Sequence, residues 1–293
     1  MLKIATHSGT FHADDVFAYA ILKAAECGAI ELMRTRDADI LAQAQVVFDV
    51  GGSYDPAAGR YDHHMRDKPL RPNGEPFSSA GLIWRDYGVR ALAALGIPAS
   101  ASAKVWRMID DGLVRDVDLM DNGAMTPHPG HFSTLIEAFN PTFAEQGDEN
   151  VAFLAAAELA GQVLARACAH AHAAVLAADT VAEAAGQAED PRVLVLETRV
   201  PWEDAVFDLG LDAVLYVVRP AGGQWTVSAV PPERGSFAQK LSLPEAWAGL
   251  RDGEFAAVSG VGDATFCHPA RFVCGAKSRA GAVALAFQAV AGR

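Results

Sequence analysis

"LKIATHSGTFHADDVFAYAILKAAE", Leu2 to Glu26, is the stretch on which the fold turns. Leu2–His7 is a short apolar run that ends in polar residues and reads as a strand with the turn that leaves it. From Asp14 to Glu26 apolar residues recur at helical spacing, and two acids occupy the first turn, where the helix dipole favours negative charge. "AIELMRTRD" (Ala29–Asp37) reads as a second strand, a short helix follows near Asp39–Gln43, and "VVFDVGG" (Val46–Gly52) is a nearly continuous apolar strand. Such continuity is expected where helices cover both faces of a sheet. The βαβ rhythm predicts an α/β fold on a doubly wound parallel sheet.

Beyond Ser78 the pattern turns helical through "SSAGLIWRDYGVRALAALG" and "SAKVWRMIDDGLVRDVDLMDNG", with Asn122-Gly123 as a stop signal. Pro127 to Phe143, with three prolines, reads as irregular chain. Asp148–Ala188 is an alanine-rich helix or helix pair. Past Asp190 the chain becomes β-rich: "RVLVLE", "AVLYVVRP" and "QWTVSAVPP" are strand candidates, and the segment from Phe255 reads as strands ending in a helix. The expected organisation is a metal-binding catalytic domain over residues 1–145, a helical connector over 146–188 and a smaller C-terminal α/β substrate domain over 189–293.

With 293 residues, 51% apolar and 20% charged, the chain has room for two domains and no mark of bulk disorder. Its apolar runs are broken by charges short of a membrane span, and strand-like sequence begins right after Met1; a cytoplasmic protein with no membrane partner is expected. The four cysteines (Cys27, Cys168, Cys267, Cys274) are too scattered for a disulfide framework and read as buried thiols. A net charge of −12 argues against tight, sequence-independent binding of long nucleic acid, but not against a short phosphate-bearing substrate.

The polar residues of the first half fall at element ends. His7 closes the first strand, His12 and Asp14 lie in the turn into the helix, and Asp49 closes "VVFDV". Asp62, His63 and His64 of "YDHH" follow a turn, and Asp118 and Asp121 end the helical run. The carboxyl ends of parallel strands converge on one edge, where ligands bind. Taken singly each residue has a plain structural reading: a backbone-bonded histidine, an acid at a helix N-terminus, a turn aspartate. Together they suit a borderline-hard divalent ion such as manganese, iron(II), cobalt or zinc. Five or more ligands exceed the needs of one ion and fit a pair sharing a carboxylate, which clamps a phosphoryl group and activates a bridging water. Asp49 stands out, because an aspartate inside so apolar a strand is costly unless paired or metal-bound.

"THSGTFHADD", "VFDVGGSYDP", "RYDHH", "SSAGLIW", "VDLMDNG", "FNPTF", "VPWEDAVF", "PERGSFAQKLSLPEAWAGLRD" and "TFCHPARFVCGAKSRAGA" resemble, in order, the motifs of the Myg family of DHH-like exonucleases, also labelled metal-dependent protein hydrolases. The resemblance covers nearly the whole chain and implies two divalent ions, manganese first, with magnesium, cobalt, iron or zinc as alternatives. One ion would be held by His7, His12 and Asp49, the other by Asp14, Asp49, His63 and Asp121, with Asp118 a rival for Asp121. His12 stands where the wider superfamily has an aspartate. His64 would meet the phosphate or the attacking water, and Asp62 would orient His63 or simply stabilise its turn. The C-terminal domain would supply His268, Lys277 and Arg279 around a Gly-Ala turn to bind phosphate, in place of the superfamily's Gly-Gly-His type turn.

The expected function is a two-metal phosphoesterase, an exonuclease hydrolysing short single-stranded RNA or DNA to nucleoside monophosphates. Alternatives are a pyrophosphatase or small-nucleotide phosphatase, which a pocket without room for a base would favour, and a non-catalytic metal or nucleotide sensor. The family's older label adds an amide hydrolase, for which no peptide-binding signature is present. A homodimer packed through the alanine-rich segment is also open to the chain.

Overall fold

The computed structural model describes residues 1–145 and 147–292; Gln146, the first residue of the expected connector, and Arg293, the last of the expected C-terminal domain, lie outside the described residues. Two compact units divide the chain, Met1–His172 and Ala173–Arg293.

In the first unit β1 (Leu2–Thr6), α1 (Ala13–Ala25), β2 (Ile30–Arg34), α2 (Ala38–Leu41) and β3 (Val46–Phe48) follow the rhythm read from the sequence. β4 (Tyr54–Asp55) and β5 (Arg60–Tyr61) complete a five-stranded sheet in the order β2-β1-β3-β5-β4. β1 pairs in parallel with β2 and β3, and β3 with β5. Only β4 runs antiparallel, because the link from Asp55 to Arg60 is too short for the crossover that parallel neighbours need. β2 and β3 flank β1 on opposite sides, so the winding reverses there and the loops leaving β1 and β3 part from each other. That is the switch point at which open α/β sheets bind ligands.

α1 is buried on nearly every face and packs against α3 (Ser79–Ala94). α4 (Ala99–Ile109) continues through a π-helical stretch, Asp110–Val114, into α5 (Arg115–Asp121), which stops at Asn122 and at Gly123, whose φ is 66°. The segment read as irregular contains a short helix, α6 (Phe132–Glu137), started by the His131 ring, which accepts a hydrogen bond from the Ser133 amide. α7 (Glu149–Gly186) is one helix of 38 residues rather than a pair, and the division between the units falls inside it. Contrary to the expectation from its broken apolar runs, it is long and apolar enough, by length and composition, to cross a membrane. Phe153, Ala156, Ala160, Leu164 and Cys168, spaced three and four apart, are nevertheless buried along one stripe of it.

The second unit runs β6 (Val193–Val195), α8 (Glu203–Asp208), β7 (Tyr216–Ala221), β8 (Gln224–Ala229), α9 (Asp252–Ser259), β9 (Ala264–Cys267), β10 (Val273–Ala276) and α10 (Arg279–Ala291). Its sheet order is β6-β7-β8-β10-β9, parallel only between β6 and β7. Side chains alternate across β7: Tyr216 and Val218 join the core that contains Leu285 and Ala286 of α10, whereas Val217 joins Trp202, Val206 and Val181 on the other face. α8 and α9 were hidden in stretches that read as β-rich.

Candidate metal centre

His7 follows β1, and its Nδ1 lies 3.2 Å from the Ser8 carbonyl oxygen, to which it donates. That bond turns Nε2 toward two carboxylates, 3.1 Å from Asp49 Oδ2 and 3.3 Å from Asp15 Oδ2. Asp49 lies one residue beyond β3, not within the strand as read from the sequence, and has φ 57°. This left-handed conformation costs about 1 kcal/mol or more for a residue with a Cβ, and Asp is among the types that tolerate it. It aims one carboxylate oxygen at each of two histidines, because His63, after β5, has Nε2 at 3.3 Å from Asp49 Oδ1. The same nitrogen is 3.2 Å from Asp121 Oδ2 at the end of α5 and 3.7 Å from Asp14 Oδ2 in the first turn of α1. Ser79, at the start of α3, donates through Oγ to Asp49 Oδ1 at 3.3 Å and through its amide to Asp14 Oδ2 at 3.3 Å.

Every metal-site residue expected from the sequence therefore meets at this edge. Donor atoms of His7, His12 and Asp49 lie within 4.8 Å of one another, and so do those of His12, Asp14 and Asp121, so His12 adjoins both halves of the cluster. Asp15 was missed by the sequence reading. It is fully buried, accepts from the His12 amide at 3.0 Å through Oδ1, and joins Asp14 and Asp49 as a third such group.

The charge balance suits bound cations. Burial, then the neighbouring charges of Asp49 and Asp121, raise Asp14 well above the carboxylate range, and burial with the charge of Asp49 pushes Asp15 up to about 8. Against its own burial, hydrogen bonds from His63 and His7 hold Asp49 below that range. His7 and His63 are raised: desolvation opposes their charge, but the Asp49 hydrogen bond and the carboxylates around them outweigh it. Asp14 Oδ1, Asp15 Oδ2 and both His63 ring nitrogens are buried without a hydrogen-bond partner. Buried acceptors left so are costly; a divalent ion among them would satisfy oxygens and imidazole lone pairs at once, and the donor set fits one.

A pH dependence follows for the metal-stripped protein. Groups whose folded pKa is raised favour folding fully below their unfolded value, and that contribution is lost as pH rises through the folded one. Asp14, Asp15, His7 and His63 all act in this sense, whereas the contribution of Asp49 is already complete above the ordinary carboxylate range. Chelated protein should lose melting temperature between about pH 5 and pH 8, and protein loaded with Mn2+ should not. Calorimetry at both pH values checks this; parallel curves for the two forms would contradict it.

Asp118 and Asp121, one helical turn apart, separate cleanly. Asp118 is fully buried, and its carboxylate is consumed by the Ser78 amide and hydroxyl at 3.0 and 2.7 Å, the Gly81 amide at 3.1 Å and the Arg71 guanidinium at 2.7 Å. It fastens α5 to the start of α3 and faces no histidine, whereas Asp121 meets His63. Gly81 is required there, because an added Cβ would come to 2.6 Å from Asp118 Oδ1. Gly81→Ala should cost ~1–3 kcal/mol as an overpacking change, read as a lower urea midpoint, and should weaken metal binding by displacing α5.

At the mouth of the cluster is a cavity of about 220 Å³ lined by His7, His12, Arg36, Asp49, Asp62 and His64. The His64 side chain is 62% exposed, and its Nδ1 donates to Asp62 Oδ1 at 2.8 Å. Asp62 also accepts from the His64 amide at 3.0 Å and the Gly52 amide at 2.5 Å. The expectation that Asp62 orients the ring of His63 is thus corrected: it takes the His63 amide at 2.7 Å but holds the ring of His64. Arg36, whose Nε donates to the Ser8 carbonyl at 3.4 Å, brings a cation to the cavity; one exposed arginine after a strand gave no signal in the sequence.

In the second unit the expected Gly-Ala turn is absent: Gly275 and Ala276 belong to β10 and face Phe266 and Ala264 of β9. The β9–β10 hairpin places His268 at its turn end, where the His268 amide bonds the Val273 carbonyl, and Lys277 just past the opposite end of β10. His268 is therefore not brought together with Lys277 and Arg279. Arg279 is exposed and paired with Glu197, Nε to Oε1 at 2.8 Å.

The family model MYG1_exonuc, described as an uncharacterised protein family (UPF0160), matches residues 3–290. The human protein named MYG1 exonuclease is 34% identical over 99% of this chain and 86% of its own length. The bovine MYG1 exonuclease is 32% identical over 99% and 85%, and the MYG1 protein C694.04c of Schizosaccharomyces pombe 29% identical over 99% and 98%. Among solved structures, RecJ of Thermus thermophilus in complex with Mg2+ aligns with 99% of this chain and 49% of its own, about half its length. The identity is 16% and the TM-score 0.30, a likeness too loose to carry any inference.

Proposed function

The chain belongs to the MYG1 exonuclease family, and from that footing we propose that it is a two-metal exonuclease removing nucleoside monophosphates from short single-stranded RNA or DNA, with manganese as its working ion. The observation that supports this reading most is the buried set of Asp14, Asp15, Asp49 and Asp121 around His7, His12 and His63, with acceptors that no hydrogen bond satisfies. His7, His12 and Asp49 would hold one ion, and Asp14, His63, Asp121 and the shared Asp49 the other. Two divalent ions in such a site supply a water acidic enough to attack phosphorus and positive charge for the phosphoryl oxygens.

The protein's own groups do the rest. The Ser8 carbonyl fixes the His7 tautomer, and Ser79 holds Asp49 and Asp14 in place. With Nδ1 tied to Asp62, His64 keeps Nε2 free at the cavity mouth to donate to a phosphate oxygen. Arg36 lies where a second charged contact to phosphate is wanted. Asp62→Asn should lower kcat ~10–100-fold while leaving Mn2+ affinity near wild type, the usual size of effect for a residue that only orients another. Turnover and metal titration of the same variant check it; equal losses in both would show that Asp62 supports the whole cluster.

One observation favours a narrower substrate. A cavity of about 220 Å³ is small beside ordinary ligand pockets of ~300–1,000 Å³ and suits a phosphoryl group better than a nucleoside. Pyrophosphate or a small nucleotide is the corresponding second reading. Metal-stripped protein given back Mn2+ and offered labelled short RNA, matching DNA and pyrophosphate separates the two. Stepwise release of monophosphates upholds the exonuclease; turnover of pyrophosphate alone replaces it.

A further inference from the structure

The motif "RVPWED", Arg199 to Asp204, has no part in the metal centre, yet it walls a cavity of about 510 Å³ in the second unit together with Arg219 of β7. The alternation of β7 explains the arrangement. Arg219 shares a sheet face with Val217, and Val217 packs with Trp202, so the Arg219 side chain leaves the sheet beside the Trp202 segment. Trp202 is buried and gives the cavity a fixed wall, while Arg199 is exposed beside it.

Both guanidiniums lack a counter-charge. Among the described residues, neither Arg199 nor Arg219 takes part in an ion pair, and Arg219 Nε is buried without a hydrogen-bond partner. Arg234, Arg192 and Arg279 of the same unit are each paired with carboxylates. Burial, and then the charge of Arg199, pull Arg219 below the usual arginine range, so the two cations stand close enough to repel. Of the two acids on the rim, Asp204 is already bound by Arg234, which leaves Glu203 alone against two arginines. Unpaired, partly buried arginines that face one another cost stability, and an anion held by both forks removes that cost.

We infer that Arg199 and Arg219 form an anion site for the phosphate group of an oligonucleotide or nucleotide, separate in residues from the metal centre. As a site for the nucleic-acid chain it rests on the exonuclease reading; as a phosphate site it does not. A guanidinium pair recognises phosphate oxygens bidentately whichever molecule carries them. The experiment therefore uses two probes, AMP and a single-stranded DNA octamer, on chelated full-length protein, with Arg219→Met, Arg199→Met and the double variant. Binding is read by calorimetry and by the rise in melting temperature that each probe produces.

The expected result is a loss of at least ~10-fold in affinity for one probe or both in each single variant, since each charged contact to phosphate contributes on that order. Loss for AMP marks a nucleotide or product site, and loss for the octamer alone marks a contact to the substrate chain. Without any probe, Arg219→Met should melt no lower than wild type, because the like-charge contact is gone; this sets the variant apart from one that merely misfolds. Wild-type affinity for both probes in the double variant would overturn the assignment. Hydrolysis of bis-p-nitrophenyl phosphate with Mn2+ is measured alongside, since that small ester needs only the metal centre. If it fails in wild type, the exonuclease reading falls while the binding result stands on its own.

Discussion

Asp49→Asn should abolish Mn2+-dependent turnover, with a loss beyond the ~10²–10³-fold that follows removal of a single electrostatic contact in an active site. The reason is geometric. Asp49 gives Oδ2 to His7 and Oδ1 to His63, so it is the residue common to both halves of the cluster. An amide keeps the size and the Ser79 contact but offers only one oxygen, and its NH2 would confront an imidazole. The fold should survive, because the change removes one of four crowded carboxylates and relieves Asp14 and Asp15, which Asp49 raises. The decisive pair of readings is therefore the melting temperature without metal, unchanged or higher, and the increase on adding Mn2+, lost. Residual turnover above about a tenth of wild type would show that the carboxylate is not shared between ions.

The largest loss of stability is expected from Arg71→Met. Arg71 is 7% exposed and lies between two acids, 2.6 Å from Asp110 Oδ2 and 2.7 Å from Asp118 Oδ2, with its guanidinium 4.6 Å from the Phe77 ring centre. Removing one partner of a buried pair strands the others, and here two carboxylates would be left; the cost should be ~3–5 kcal/mol in urea unfolding. Arg71→Lys should recover only part of it, since one ammonium cannot reproduce a planar fork reaching both acids. A loss below about 1 kcal/mol would mean that water reaches Asp110 and Asp118 freely. Activity should fall as well, because Asp118 ties the Ser78–Ser79 start of α3 to the helix that carries Asp121.

The parallel core of the first sheet was legible because a βαβ unit declares itself locally: an apolar run, a helical period, another apolar run. The same logic located His7, Asp49 and His63, which follow β1, β3 and β5. Asp15 was not legible, since neighbouring helix positions point about 100° apart and only one of Asp14 and Asp15 seemed able to face a site. At an N-terminus sunk into the core that rule loses its force, and both are buried. Asp118 and Asp121 looked equivalent because spacing fixes the face of a helix but not what lies opposite; Arg71, far away in sequence, decides it. Asp62 was assigned to the wrong ring because two consecutive histidines give no clue to which turns back. α6 and α8, six residues each, carry too short a period to stand out from their loops.

The π-helical stretch between α4 and α5 has a consequence for how this centre tolerates change in length. A π turn accommodates one residue more than an α turn. Deleting Gly112 from it would let the helix close as regular α-helix and turn everything beyond by about 100°. Asp118 would leave Arg71 and Asp121 would leave His63 in the same movement, though Gly112 lies outside both sets of contacts. The eleven-residue interval from Asp110 to Asp121 thus acts as a ruler: side chains along it can be exchanged, but a lost residue cannot be made good by any substitution.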